Sequence, residues 1–460
     1  DQDATGMKQT IPGPTYFEML HPESLPQALR QRALAALAGN ELDPINLFNI
    51  TWRDPENRVR HVVLPRELTG VEANIIVLLG CRFPSGSHKV GPAYATLLEG
   101  ELAREIVPGE STIIGPSTGN FGIGVAYISR LMGFPSVVIM PKEMSKERYE
   151  RIRRYGGRLD LTPGSESDVI LVIERAEYYK RDPRNKILAQ FELLPNYRFH
   201  RYVTGGSALE AARAYGNGRI AAFVAAPGSA GTLAAGDEIK SKFPDAILCA
   251  LEPLECPTLY NNGRGTHRIE GIGDKMVTLI HNVLTTDYVA LVHDDHCVMG
   301  LKVLHDGLRL LEKLLRLGEG FLELLGGLFG ISSICNIVGS IRTAKFLNLS
   351  RKDNVVTIAT DGFDRYPSVL ADLERRKGPI TNAVMLDWFE EIFRGAAAGE
   401  ILDLRPGEQK ERLFRQKEEV WSRFGYSAEY LNRMKSTSFW ETEYDHIRRV
   451  DEQWKTARSL

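Results

Sequence analysis

The stretch "RFPSGSHKVGPAY", residues 82–94, sets one lysine, Lys89, among small residues directly after an apolar run. A solvated lysine needs no such setting. A reactive one does. Two further loops share the pattern of strand, small residues, then helix: "GPSTGNFGIG" (115–124) and "PGSAGTLAAG" (227–236). Backbone amides at a helix N-terminus, freed of Cβ bulk by glycine, make a ready anion site. A loop lysine and two such loops in one α/β chain are better evidence of a small-molecule site than any single loop.

Several alternatives are excluded by spacing. Neither glycine loop fits the nucleotide pattern G-x-x-x-x-G-K-[ST], and "GNFGIG" lacks the dinucleotide spacing and its ribose-binding acid. The nucleophile elbow G-x-S-x-G is absent, which argues against serine hydrolase chemistry. The five cysteines (81, 249, 256, 297 and 335) form no CxxC and no zinc-ligand spacing, so no metal is expected. An odd, scattered set reads as small core residues in a reducing cytoplasm.

The elements that must position these loops run from about residue 74 to 361. Nearly all-apolar strand candidates lie at 74–80, 111–116, 135–141, 186–191, 221–227, 246–252, 287–293 and 354–360. Such runs suit strands covered on both faces. Helix patterns at 120–133, 145–157, 206–217 and 231–243 alternate with them, Ser145 reading as an N-cap and the pair Gly156–Gly157 as a stop. Alternation of this kind means parallel sheets in an α/β fold, and eight strands suit two lobes better than one compact sheet. Outside this region, one helix is expected at about 23–38, and helix-period aromatics fill 381–460. Residues 302–329 form a strongly apolar helical stretch, read as buried or as a subunit contact.

Composition agrees with small-molecule chemistry. The 460 residues carry 57 basic and 59 acidic side chains, a formal charge of −2, which gives no electrostatic reason to expect nucleic acid or a membrane surface as partner. The longest apolar runs are too short or too broken for a transmembrane helix. "DQDATGM" has no signal-peptide pattern, and Met7 is the expected natural start, with residues 1–6 preceding it.

The segment "PSTGNFGIGVAYISRLMGFPSVVIMPKEMSKERYERIRRYGG" resembles the substrate-loop region of the cysteine synthase (O-acetylserine sulfhydrylase) and cystathionine β-synthase family, pyridoxal phosphate enzymes of fold type II. "SGSHK", "AQFELLPNYRFH", "GSAGT", "THRIEGIGD", "GISS" and "DGFDRYPS" arrive in the family's order, so the likeness spans about two-thirds of the chain. It implies a tryptophan synthase β-like architecture: two lobes, each a mostly parallel sheet flanked by helices, with helical terminal extensions. The expected division is an extension at 1–73 packing on the large lobe, a smaller lobe at 74–200, a larger lobe at 201–380, and a helical extension at 381–460.

Carried over residue by residue, the resemblance makes Lys89 the lysine that holds pyridoxal 5'-phosphate as a Schiff base and acts as base at the substrate Cα. Gly228, Ser229, Ala230, Gly231 and Thr232 become the phosphate loop, helped by the dipole of the following helix. Ser117, Thr118, Gly119 and Asn120 become the clamp for the substrate carboxylate, Asn120 also touching the ring hydroxyl. Gln190 becomes a further carboxylate contact, and Gly271, with Gly273, a loop close to the cofactor. Ser332 or Ser333 faces the pyridine nitrogen, Ser332 being preferred. A neutral hydroxyl there disfavours long-lived carbanions and favours loss of a β-substituent through an α-aminoacrylate. Asp361 and Tyr366 are expected to stand behind the residues that touch the ligand.

Two departures stand out. Cysteine synthases place an arginine soon after the lysine, whereas "HKVGPAY" follows here, and His88–Lys89 resembles the pair of tryptophan synthase β subunits, whose histidine lies near the phosphate. Phe121 stands where sulfhydrylases have a small hydroxyl residue. The resemblance therefore implies β-replacement or β-elimination on a serine- or cysteine-like amino acid such as O-acetylserine. The alternatives are a serine/threonine dehydratase or threonine-synthase-like enzyme, and a cofactor-binding β subunit that needs a second component. A cytoplasmic homodimer is the implied form.

Overall fold

The computed structural model describes residues 13–318 and 320–459; the expected start at Met7 lies outside them. Two sheets carry the chain. The larger has seven strands, introduced here in chain order: β1 (His61–Val63), β2 (Asn74–Leu79), β7 (Ile220–Ala225), β8 (Ile247–Pro253), β9 (Tyr288–Val292), β10 (Asn354–Ala359) and β11 (Ile401–Asp403), in spatial order β1-β2-β10-β7-β8-β9-β11. Its five inner strands are parallel, and β1 and β11 close the two edges antiparallel. The smaller sheet, in order β5-β4-β3-β6, is parallel throughout, from β3 (Thr112–Pro116), β4 (Ser136–Pro141), β5 (Arg158–Thr162) and β6 (Asn185–Ile187).

Seven of the eight apolar runs form buried strands covered by helices on both faces, while the run at 186–191 contributes only the half-buried edge strand β6. β5 escapes the apolar criterion: "RLDLT" is an edge strand with one face in solvent. Sheet membership crosses the expected lobe boundary. β2, placed by sequence in the smaller lobe, pairs with β10 from Asn74–Asn354 to Leu79–Ala359 and so belongs to the larger sheet. The flanks also join that sheet, through β1 and β11.

The apolar stretch 302–329 is not one helix. It breaks at Gly307 between helices Asp294–Asp306 and Leu308–Leu315, then turns through a short 3-10 segment, Leu322–Leu325. Residues 408–459 are largely helical, and the termini meet: Trp454 Nε1 donates to Gly13 O at 2.9 Å, and Asp451 accepts from the amides of Tyr16 and Phe17 at 2.8 and 2.9 Å. Among the described residues, no helix is long and apolar enough to cross a membrane.

Candidate active site

In parallel sheets ligands gather beyond the carboxyl ends of strands. Here four such ends converge. The turn after β2 carries Lys89, the turn after β3 carries Ser117–Asn120, the turn after β7 carries Gly228–Thr232, and β10 ends at Thr360–Asp361. Between them lies a narrow cleft, walled by Lys89, Ser117, Thr118, Gly119, Asn120 and Phe121 on one side. Gln190, Phe191, Gly228, Ser229, Gly271 and Thr360 complete it.

Lys89 caps helix Val90–Leu102 and is half-buried, and Ser87 before it bridges to Asp361. Burial pushes its ammonium down to about 8, against a smaller upward pull from Asp274 and Glu166. A substantial share of neutral amine is therefore present near neutrality, as attack on an aldehyde requires. His88 stands behind it, wholly buried 5.0 Å from the His200 ring and 5.6 Å from that of Trp52. Burial and the neighbouring Lys89 hold His88 neutral, and its Nε2 lies 3.4 Å from Thr360 Oγ1. His88, which the resemblance makes a cofactor contact, is not among the residues that wall the cleft.

The loop after β3 is shaped by Ser117. Its Oγ accepts from the amides of Gly119 at 2.9 Å and Gly122 at 2.7 Å. Gly119 has φ 153° and ψ −96°, and a Cβ there would lie 2.4 Å from Arg148 Nε. Only glycine suits that position. Asn120 opens helix Asn120–Met132, and its side chain is tied on both sides: Oδ1 accepts from Arg365 Nε at 2.7 Å and Nδ2 donates to Asp361 Oδ2 at 2.6 Å.

The loop after β7 is braced from behind. Ser229 Oγ accepts from Asn196 Nδ2 at 2.9 Å, and Thr278 Oγ1 donates to Ser229 O at 2.7 Å. Ala230 sits at φ 68°, an uncommon conformation for a residue with a side chain. A Cβ on Gly228 would approach Gly271 O to 2.5 Å, and one on Gly231 would meet Asn196 Oδ1 at 2.3 Å. The helix begins at Ala234, three residues later than the sequence pattern suggested, so Gly228–Thr232 form a free-standing turn before it. Ala230, Gly231, Thr232 and Ser332 lie outside the cleft wall itself. Ser332, 2% exposed, is the second residue of helix Ile331–Phe346, while Ser333 Oγ turns to Asp361 O at 3.5 Å.

Sequence reasoning missed the charged layer around this cleft. Arg148, fully buried on helix Lys146–Arg154, contacts Glu270, donates from Nη2 to Tyr366 OH at 3.0 Å, and lies 3.6 Å from Asp361. Ser145 accordingly does not cap that helix with its hydroxyl: Oγ donates to Glu270 Oε2 at 3.0 Å and accepts from Arg148 Nη1 at 2.7 Å. Thr360 was findable, since it ends a central parallel strand. Arg148 and Glu166 carry no signal in the sequence, being remote from every loop that marks the site.

Comparison with known proteins is decisive here. A family model described as pyridoxal-phosphate dependent enzyme matches residues 62–361. The chain belongs to that family. It is 31% identical over 325 residues to a cysteine synthase of Staphylococcus aureus, covering 70% of this chain and 95% of the relative. Among solved structures, it is similar to a hydrogen sulfide-producing enzyme of Fusobacterium nucleatum at 27% identity and TM-score 0.58, covering 75% of this chain and 95% of that one. An O-acetylserine sulfhydrylase of Entamoeba histolytica shares the fold at TM-score 0.59 and 24% identity, over 76% and 96%. The fold is thus that of the type II pyridoxal phosphate enzymes, and the residues present suit the cofactor. They offer a lysine of lowered basicity, a glycine-lined turn with amides and hydroxyls for a phosphate, and a buried serine on a helix N-terminus for the ring nitrogen.

Proposed function

We propose that this pyridoxal phosphate-dependent enzyme replaces or eliminates the β-substituent of an L-amino acid, with an O-acetylserine-like ester as substrate and a thiol or sulfide as nucleophile. The observation that carries the reading is the lowered basicity of Lys89 in a cleft shared by Ser117–Asn120 and Gly228–Ser229. Similarity to a cysteine synthase over 95% of its length supports the β-replacement reading over the dehydratase one.

The cofactor supplies, when bound, an electron sink for the bond that breaks at Cα. Lys89 would hold its aldehyde carbon, and the amides and hydroxyls of Gly228, Ser229, Ala230, Gly231 and Thr232 would hold its phosphate. Ser332 would offer a neutral hydroxyl to the ring nitrogen. Asn120, with an N–H beyond the one given to Asp361, would offer it to the ring oxygen. The amides and hydroxyls of Ser117, Thr118 and Gly119, with Gln190, would orient the substrate carboxylate. Lys89, as a neutral amine, would take the Cα proton. Phe121, 1% exposed, keeps that wall apolar and dry. The working form is taken as a cytoplasmic homodimer, in keeping with five free cysteines and the exposed apolar side chains of Leu314, Phe321 and Leu324.

The test is turnover of O-acetylserine with and without sulfide, read by mass spectrometry. Cysteine with sulfide, and pyruvate with ammonia in its absence, are expected. Deamination of threonine faster than either reaction would overturn the reading.

A further inference from the structure

Among the described residues, two buried acids that act on Lys89 make no hydrogen bond. Asp274 is 5% exposed and Glu166 2%, and none of their four carboxylate oxygens is bonded. Glu166 lies in the turn after β5, near the Thr118 hydroxyl and the Gly271 amide, neither of which reaches it with hydrogen-bond geometry. Asp274 closes the loop that begins at Gly271, on the wall of a second cavity that shares Gly228 with the lysine cleft. Asp274 acts on Glu166, and both acids act on Lys89. Buried carboxylates are normally paired or bonded, because leaving them bare is costly. Two that are neither, flanking a reactive lysine and a substrate loop, have the arrangement of a proton store.

We propose that Asp274 and Glu166 form the acid–base pair for the substrate's β-substituent. The proposal rests on the β-replacement reading above and extends it. As the bond from Cβ to its leaving atom breaks, the electron pair departs on that atom, and a proton held by the pair moves to it, giving water or a neutral thiol. The pair, now without that proton, takes one from the incoming thiol as its sulfur bonds to Cβ. One proton leaves and one returns, so no further reactant is needed. The device matters most for hydroxyl or thiol leaving groups, which depart poorly as anions, and least for an ester. Two carboxyls also disfavour a β-substituent that is itself an anion.

The electrostatics agree. Burial raises the Asp274 carboxyl to about 7 against the pull of Lys89, and lifts Glu166 well above the usual carboxylate range. A carboxyl raised to about 7 can give or take a proton near neutrality. The other groups facing the pair are Arg148 toward Glu166, and Glu252 and His281 across the Asp274 cavity. Glu252 is itself raised to about 8, and burial holds His281 neutral.

The experiment compares Asp274→Asn and Glu166→Gln with wild type on O-acetylserine and on unactivated serine, each with a thiol, across pH. With serine, kcat/KM of Asp274→Asn is expected to fall roughly 100-fold or more, and its alkaline limb near pH 7 to disappear. With O-acetylserine the fall is expected to stay within about threefold. On cofactor-free wild-type protein, infrared spectroscopy is expected to follow a buried carboxyl band that titrates near pH 7; this arm stands even if a variant fails to fold. Equal losses on both substrates, no loss on serine, or no titrating buried carboxyl would overturn the proposal. Failure of the wild type to turn over either substrate would instead overturn the β-replacement reading, and the pair's role with it.

Discussion

Asn120 Nδ2 donates to Asp361 Oδ2 at 2.6 Å, joining the helix that follows β3 of the smaller sheet to the end of β10 in the larger. Asp361 also accepts from Tyr366 OH at 2.8 Å, and Arg148 reaches both Tyr366 and Glu270. The two sheets therefore hold the cleft between them through one buried, charged network rather than through apolar contact alone.

That network is expected to be sensitive to single removal. Arg148→Met strips the cation from Glu270 and Asp361, both buried, and should cost about 3–5 kcal/mol in urea unfolding. Arg148→Met with Glu270→Leu should recover part of the loss, because the uncompensated carboxylate goes too. A double variant less stable by the full sum of both single changes would show that the pair is not coupled.

Lys89 gives a pH dependence with a definite sign. Its ammonium is held at about 8 in the folded protein, against roughly 10.4 in an unfolded chain. Below pH 8 both states carry the proton and the native state bears the whole desolvation penalty. Between the two values the unfolded chain keeps a proton that the native state has lost, so native stability gains as pH rises. Lys89→Met, freed of the penalty, should be more stable than wild type by about 2–3 kcal/mol at pH 7 without cofactor. That advantage should shrink toward zero near pH 10. An advantage independent of pH, in denaturant titrations at several pH values, would contradict the assignment.

The C-terminal extension supports the site from outside the family region. Trp421 Nε1 donates to Val277 O at 2.9 Å, and Lys417 Nζ donates to Leu279 O and His281 O at 3.0 and 2.6 Å. These bonds flank Thr278, whose hydroxyl props Ser229. Trp421→Ala should cost about 3–5 kcal/mol and weaken pyridoxal phosphate binding, measured by equilibrium dialysis. Destabilisation with cofactor affinity unchanged would mean that the prop acts on stability alone.

Much of this was legible in the sequence. Most inner strands announce themselves because parallel sheets bury both faces, so Ile75–Leu79 is apolar end to end. The loops stand out because Gly119 and Gly228 have no room for a side chain. What stayed hidden was set by packing across long sequence separations. Nothing in "NIIVLL" says that β2 pairs with β10 in the larger sheet. Arg148 on a highly charged helix reads as solvated, yet it is fully buried because Glu270, Asp361 and Tyr366 converge on it. Asp274 sits inside the block "THRIEGIGD", but its want of partners is visible only in three dimensions.

The central claim, that Lys89 carries the cofactor, has one direct measurement. The protein is loaded with pyridoxal phosphate, reduced with borohydride, digested, and the modified peptide sequenced by mass spectrometry. The account predicts a single phosphopyridoxyl group on Lys89, in the peptide containing "SGSHKVGPAY", and none after Lys89→Ala. A label on another lysine, or none in a protein that has bound the cofactor, would contradict it.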